Sequence, residues 1–367
     1  MSREANRIVR GSFMALFAFD IGYEISLDSL AGLVAATPIK PLSRKRQTPA
    51  YLQFTRSPVT LELQTKQQLL GASGGLQVTI FDFGALSMAY RWPLPSGPTL
   101  TMDQLASVGA DIYARNMEEI ARAELAVLLE RIAPAIQRPK LSSLAEDYYL
   151  YILEQLTPPL NAKEFLARYR RELAQALSFE TSPLSDGQVE ENLSQSVSYM
   201  EDDLTVVDWN AAIIYDRDHE DTVRVLELLN VELLEARYID TTLDQNVTKY
   251  ADLLKKPAKW PIPLWTPYRR ALQELTEWRI ESTLLSEQVT NALKLIGDLY
   301  LSRIHTAAAI KVHLPGWERV IAEKLQILDE IYERIVDRVR TAQSQTLEVI
   351  IVALFVLEIL LALFRHP

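Results

Sequence analysis

The chemistry that most needs explaining in this 367-residue chain is that of Glu358, a carboxylate inside the apolar run Leu347–Phe364, LEVIIVALFVLEILLALF. A charged group at the centre of a membrane-spanning helix costs roughly 2.5–3.5 kcal/mol. In the plain interpretation Glu358 lies one or two turns from the far interface, is protonated, or snorkels towards water. In the functional interpretation it hydrogen-bonds to a neighbouring subunit in a seam between helices. Both interpretations stay open, and Glu358 is our candidate for a membrane-helix interface.

Acidic residues also cluster at Asp216, Asp218, Glu220 and Asp221, where carboxylate oxygens could bind a divalent cation. Their spacing does not match an EF-hand loop, because no glycine and no terminal glutamate follow at the required places. Carboxylates at the start of a long helix are also expected from the helix dipole. The sequence therefore predicts no metal site.

The glycine-rich segment Gly71–Gly75, GASGG, is compatible with a phosphate loop or with a hairpin turn. The Lys-Ser/Thr pair that completes a phosphate loop is absent and no helix pattern follows, which favours the hairpin. The chain has no cysteine, and it contains no nucleophile elbow, HExxH helix or dinucleotide fingerprint. We predict no catalytic residue and no cofactor, although catalysis by dispersed residues stays open.

The basic run Arg44, Lys45 and Arg46 lies in a proline-rich loop between Pro38 and Pro49. These side chains could contact anionic lipid headgroups or RNA, or they could simply be solvated. The formal net charge of −10 argues against a nucleic-acid partner unless basic residues are concentrated on one face.

The elements of the first half have the mixed pattern of an α/β domain. The apolar run Phe13–Phe19 predicts a strand rather than a signal peptide, because Asp20 ends it. We predict an α/β domain with a mixed sheet over residues 1–215. The predicted strands cover about 12–21, 51–63, 76–92, 148–156 and 205–215, and the predicted helices cover about 29–36, 103–134, 162–177 and 187–197.

From His219 onward the chain has the spacing of long helices. Apolar residues recur at alternating intervals of three and four, the pattern of a coiled-coil seam. Prolines at 257–267 and at 315 divide the region into three helices. We predict a helical coiled-coil stalk over residues 216–346 that joins copies of the chain into a homo-oligomer. Its candidate seam residues are Leu226, Leu229, Leu233, Asp240, Leu243, Val247, Leu328 and Ile335.

The third helix is predicted to begin near Trp317 and to continue, without proline or glycine, into residues 347–364. As an α-helix that run is roughly 27 Å long, close to the hydrocarbon thickness of a bilayer. We predict a transmembrane anchor there, with burial in an oligomer core as the alternative. Arg334, Arg338 and Arg340 precede the anchor, which favours a cytoplasmic location for the bulk of the chain.

Several segments resemble the required-for-meiotic-nuclear-division family. They are Ser198–Leu204 (SYMEDDL), Val207–Asn210 (VDWN), the heptad helix, Glu333–Arg340 and Leu347–Ile359. The resemblance implies an α/β N-terminal domain, a coiled-coil part and one C-terminal membrane helix. For mitochondrial members it also implies a homo-oligomer at the inner membrane that supports mitochondrial translation. It supplies no catalytic residues.

The leading functional hypothesis is a non-enzymatic, membrane-anchored scaffold or assembly factor. Its partners would be other copies of itself, membrane lipid and unidentified proteins. The first alternative is a hydrolase or nucleotide-dependent enzyme with its site in the α/β domain, which a pocket with convergent carboxylates such as Asp20 and Asp82 would favour. The second is an RNA- or ribosome-binding adaptor at the membrane that uses a basic face around Arg44, Lys45 and Arg46.

Overall fold

The computed structural model describes residues 6–34, 37–38, 58–94, 100–255, 268–279 and 299–365. The basic run at 44–46 lies outside these ranges. The chain divides into two compact units, Met1–Ala236 with Gln288–Pro315, and Arg237–Glu287 with Gly316–Pro367. We call them the sheet unit and the helical unit. The three-part division at 215 and 346 stays a prediction.

The sheet unit is built on a nine-stranded sheet with the order β3-β4-β5-β6-β1-β8-β11-β10-β9. Neighbouring strands are antiparallel except β8 and β11, which are parallel, so the sheet is mixed, as predicted. Short strands β2 and β7 form a separate pair. The strands are β1 Arg7–Asp20, β2 Glu24–Ile25, β3 Thr37–Pro38, β4 Val59–Leu69, β5 Ala72–Ile80, β6 Ala85–Pro93, β7 Ile136–Gln137, β8 Ala145–Thr157, β9 Gln195–Val197, β10 Leu204–Val207 and β11 Ala211–Tyr215.

Strand β1 occupies the centre of the sheet, between β6 and β8. Its residues from Phe13 to Phe19 are buried on both faces, which explains why the sequence reads as a continuous apolar run rather than an alternating one. The alternate residues Phe13, Ala15, Phe17 and Phe19 belong to the main core, where the Phe13 and Tyr151 ring centroids lie 4.8 Å apart. The predicted strand is confirmed.

Helices cover both faces of this sheet. One face packs its aromatic and aliphatic side chains against α2 to α6, and the first half of α7 approaches the other, where Asn230 Nδ2 donates to the Glu146 carbonyl of β8. The helices are α1 Leu27–Leu33, α2 Leu105–Tyr113, α3 Met117–Ile132, α4 Ala162–Arg168, α5 Arg170–Ser178, α6 Asp186–Asn192, α7 Glu220–Lys255, α8 (residues 268–279), α9 Leu299–Lys311 and α10 Leu314–Arg365.

The glycine-rich segment forms a hairpin, as the absence of a phosphate-loop lysine indicated. Leu70 and Gly71 make the turn between β4 and β5 with φ of 49° and 79°, the two positive values that a type I′ turn requires. Gly74 lies inside β5, where a Cβ would come within 2.5 Å of the Trp92 indole nitrogen. Gly74 is therefore explained by close packing against Trp92 rather than by a ligand.

Several predicted elements differ in their boundaries. The single helix predicted over 103–134 is two helices, α2 and α3, separated at Asn116, whose φ of 51° is left-handed and is tolerated best by Gly, Asn and Asp. The single strand predicted over 205–215 is the pair β10 and β11. The Tyr148 hydroxyl fixes the turn between them by donating to the Asp208 and Ala211 carbonyls at 2.8 and 3.1 Å.

The helical unit contains residues 237–255 of α7, helix α8 and α10 beyond Pro315. Its core includes Leu243, Tyr250, Leu275, Leu328 and Ile335. Helix α10 runs without interruption for 52 residues, which confirms the continuous helix predicted from the sequence. The chain thus has the predicted fold class, a mixed α/β domain followed by helices.

Candidate functional site: the apolar end of α10 and the polar face of the sheet

The last turns of α10 present an apolar surface that nothing in the described chain covers. Every residue from Leu347 to Leu361 is exposed, and this stretch gives the described chain its one helix long and apolar enough to cross a membrane, with a mean hydropathy of 2.1. Exposed apolar patches of this size mark membrane or partner contacts. The apolar end of α10 is therefore the first candidate functional site.

Glu358 lies within that surface and is itself exposed. Within the described ranges its carboxylate contacts no basic or hydrogen-bonding side chain. In hydrocarbon such a group needs a partner of its own, because water is not available to solvate it. The position of Glu358 in an uncovered helix makes its partner the main chemical question of this site.

The candidate seam residues fall into two separate groups. Leu226 and Leu229 are buried in the sheet unit, whereas Leu243, Leu328 and Ile335 are buried together in the helical unit with Val247 at their edge. Leu233 is half-buried. The apolar stripe is therefore filled within the chain at several of these positions, and a seam between copies stays a prediction.

Asp240, the polar position of the predicted seam, has a partner in its own chain. Its Oδ1 lies 2.7 Å from Lys324 Nζ, and Asp244 Oδ1 lies at the same distance. Two carboxylates around one lysine fix the register of α7 against α10. Sequence spacing identified Asp240 as an exception in the stripe, and the structure gives the reason.

The face of the sheet that contacts α7 is unusually polar for a buried surface. Glu227 of α7 is buried opposite Thr79 and Ser87 of the sheet. Burial raises the pKa of Glu227, and the two hydroxyls oppose that rise. This carboxyl group therefore favours its protonated form more than an exposed glutamate does.

Two further buried carboxyl groups, Asp20 at the end of β1 and Glu235 of α7, interact with each other. Burial raises the pKa of Asp20 to about 6, against the opposing effects of the Gly22 amide and Lys140. The pKa of Glu235 is raised well above its usual range, first by burial and then by the charge of Asp20. Two carboxyls in this situation hold one proton more tightly than either would in water.

The enzyme alternative named Asp20 and Asp82 as carboxylates whose convergence in a pocket would favour it. In the structure the carboxyl group that interacts electrostatically with Asp20 is that of Glu235. The sequence contains a signal for the burial of Glu235. The start of α7 is apolar on nearly all sides, from Val223 to Ala236, and such a helix must be buried all round. Its few glutamates must then be buried too.

A buried lysine fixes the VDWN turn. Lys311 Nζ of α9 lies 3.2 Å from Asp208 Oδ1 and 3.0 Å from Glu191 Oε1. Burial raises the pKa of Asp208, and the Lys311 charge opposes that effect. These contacts stabilise a turn whose neighbouring Trp209 is 62% exposed.

A groove of about 410 Å³ lies at one end of β1, lined by Arg10, Ser12, Arg91 and Glu154 among others. The Arg91 guanidinium is fully engaged: Nε donates to Ser12 Oγ at 3.1 Å, and its terminal nitrogens lie 2.9 Å from Glu220 Oε1 and 2.6 Å from His219 Nε2. Hydrogen bonds from His219 and Arg91 lower the pKa of Glu220 to about 2. Arg91 is a permanent cation and cannot accept a proton from the Ser12 hydroxyl. This contact therefore does not activate Ser12 as a nucleophile.

The carboxylates at and just before the start of α7 make separate local contacts. Glu220 pairs with Arg91, Asp221 lies 3.5 Å from Arg224, and Asp216 accepts from the Asp218 amide at 2.9 Å. Among the residues that the structure describes, no group of three or more His, Asp or Glu side chains is arranged to hold a metal ion. These carboxylates act in capping and ion pairing.

Comparison with known proteins gives one family and one relative. The family described as "Uncharacterized protein MJ0711, N-terminal domain" matches residues 10–222, which include nearly all of the sheet strands and stop at the start of α7. The uncharacterized protein MJ0711 of Methanocaldococcus jannaschii is 23% identical over 222 residues, 60% of this chain and 66% of the relative. No solved structure matches.

Proposed function

The chain belongs to the family of the N-terminal domain of uncharacterized protein MJ0711, and from this premise we propose that it is a non-enzymatic, membrane-anchored scaffold or assembly factor. It associates with copies of itself and holds the sheet unit at the membrane for protein partners. The proposal rests mainly on the change along α10: Leu328 and Ile335 pack within the chain, whereas residues 347 to 361 are exposed. Helix α7, with its buried carboxylates, continues the chain beyond the matched region.

The change along α10 is abrupt. Leu328 and Ile335 are buried in the helical unit, and Ala342 and Thr346 are still half-buried, but every residue from 347 to 361 is exposed. Since no glycine or proline lies in this stretch, one rigid helix joins the packed unit to the apolar end. Such a helix fixes the distance between the helical unit and a membrane surface.

The basic residues before the anchor support a cytoplasmic orientation. Arg334, Arg338 and Arg340 lie on the N-terminal side of the apolar stretch, and Arg365 follows it. Basic residues near a membrane helix favour the cytoplasmic side. The resemblance to the required-for-meiotic-nuclear-division family supports the same arrangement, at the mitochondrial inner membrane if the chain is eukaryotic.

Insertion of the apolar end is tested with a paired substitution. Val352→Arg with Phe355→Arg should release the full-length protein from membranes, because each arginine at the centre of a span costs about 2.5–3.5 kcal/mol. The matched control is Gln343→Arg with Gln345→Arg, two exposed positions just before the apolar stretch. The measurement is the fraction that stays in the pellet after alkaline carbonate extraction of expressing cells.

The expected result is retention of the native protein and of the control, and loss of the double-arginine variant. Extraction of the native protein with carbonate would refute the anchor. For self-association, the mass in mild detergent should exceed one chain and fall to one chain when residues 347–367 are removed. A monomer in both forms would refute the scaffold proposal.

A further inference from the structure

A second heptad stripe runs along the uncovered end of α10. Leu347, Ile351, Leu354, Glu358 and Leu361 follow one another at intervals of four, three, four and three. This is the spacing with which two helices pack along a left-handed seam. We call these five residues the outer stripe.

The outer stripe lies on a different side of α10 from the residues that pack within the chain. Of the latter, Leu328, Ile335 and half-buried Ala342 follow one another at intervals of seven, and half-buried Thr346 comes four residues later. At 3.5 residues per turn the outer stripe is rotated from that line by about 150°. All residues from 347 to 361 are exposed, so packing inside the helical unit covers none of the outer stripe.

The side chains of the outer stripe are exposed along its whole length. Leu347, Leu354 and Leu361 are each 60% exposed. Lipid chains could cover these leucines, but not the Glu358 carboxyl group, which needs a hydrogen-bonding partner in hydrocarbon. Acidic side chains within membrane helices almost always face the interior of a helix bundle or a water-filled cavity for this reason.

We infer that the outer stripe is the interface with a second copy of this chain, in which the two Glu358 carboxyl groups hydrogen-bond to each other. Two copies anchored by the same C-terminal helix are parallel, so their Glu358 residues lie at the same depth by symmetry. A protonated carboxyl group both donates and accepts a hydrogen bond, so it can pair with an identical group. The inference rests on the proposed function, since it requires an inserted helix.

Single cysteines provide the test, because the native chain has none. Full-length Leu354→Cys and Ile351→Cys proteins, reconstituted in phosphatidylcholine vesicles, should form disulfide-linked dimers on mild oxidation. The matched controls are Ala353→Cys and Val356→Cys, which continue the in-chain line on the other side of the helix. The readout is the dimer fraction on a non-reducing gel, expected to be at least fivefold higher for the outer stripe.

Equal cross-linking at all four positions, or stronger linking at the controls, would overturn the interface. Carbonate extraction of the same vesicles separates this failure from loss of the anchor: a retained but uncross-linked Leu354→Cys protein refutes the interface alone. An extractable protein refutes the proposed function.

The role of Glu358 is tested in the Leu354→Cys background. Glu358→Leu should lower the cross-linked fraction and raise the dissociation constant in detergent by about threefold to tenfold, as expected for one hydrogen bond between membrane helices. Glu358→Gln should keep most of the dimer, because its amide also donates and accepts. An unchanged dimer in Glu358→Leu would refute the carboxyl pair.

Discussion

At the scale of single residues, the buried acids beside α7 are the main finding. Burial raises the pKa of Asp20, Glu227 and Glu235, because it disfavours the charged carboxylate. A folded-state pKa above the unfolded value means that the group stabilises the fold when protonated. That contribution is complete below about pH 4 and is lost as the pH rises through the folded-state pKa.

Glu235→Gln is therefore expected to weaken the pH dependence of stability. The native melting temperature should fall between pH 4.5 and pH 7, and the variant should show a shallower fall because it cannot ionise and no longer places a charge beside Asp20. The difference between the two profiles should grow as the pH rises through this range. Tryptophan fluorescence of the full chain in mild detergent measures it, with exposed Glu119→Gln as the control. Parallel profiles for the native and Glu235→Gln proteins would contradict this account.

At the scale of elements, one helix surface serves different neighbours along its length. Leu226 and Leu229 of α7 are buried in the sheet unit, and Leu243 of the same helix is buried with Leu328 of α10. A heptad spacing indicates a buried side but not the neighbour that buries it. The periodicity therefore does not distinguish packing inside the chain from packing between chains, and a seam between copies stays a prediction.

Leu328→Ala is expected to loosen the helical unit. Truncating a buried leucine to alanine costs about 2–5 kcal/mol, through lost burial and the cavity that remains. Its neighbour Ile327 is 46% exposed, so Ile327→Ala is a matched control with a much smaller effect. Hydrogen exchange of peptides from residues 237–255 should become faster only in Leu328→Ala. Equal exchange in both variants would show that this core does not hold α7 in place.

At the scale of the whole molecule, the apolar end of α10 and the core of the sheet unit are formed by different residues. Every residue from 347 to 361 is exposed, and the core of the sheet unit includes none of them. Location at a membrane and stability of the sheet unit therefore depend on different residues.

Removal of residues 347–367 is expected to leave the melting temperature of the sheet unit unchanged within about 2 °C, because its described part, residues 347–361, is exposed and absent from the core of that unit. Near-ultraviolet circular dichroism, which reports on its packed aromatic residues, measures this. A drop of several degrees would show that the segment contributes to the folded core.

Local patterns in the sequence were sufficient for the elements whose signal lies in neighbouring residues. The apolar run of β1, the hairpin at Gly71 and the long uninterrupted α10 follow from spacing, turn chemistry and the absence of helix breakers. The break at Asn116 did not follow, because a single left-handed residue leaves the apolar spacing of the flanking helices almost unchanged.

The sequence by itself determined the mixed α/β class, the helical second half and the apolar helix with Glu358. The tertiary structure decided the strand order, the parallel pairing of β8 with β11, the partner of Asp20 and the neighbours of each heptad position. The physical reason is the separation along the chain over which each effect acts. Periodicity and turn preferences act between residues close in the chain, whereas the environment of a buried carboxyl group depends on distant segments that meet only in the folded protein.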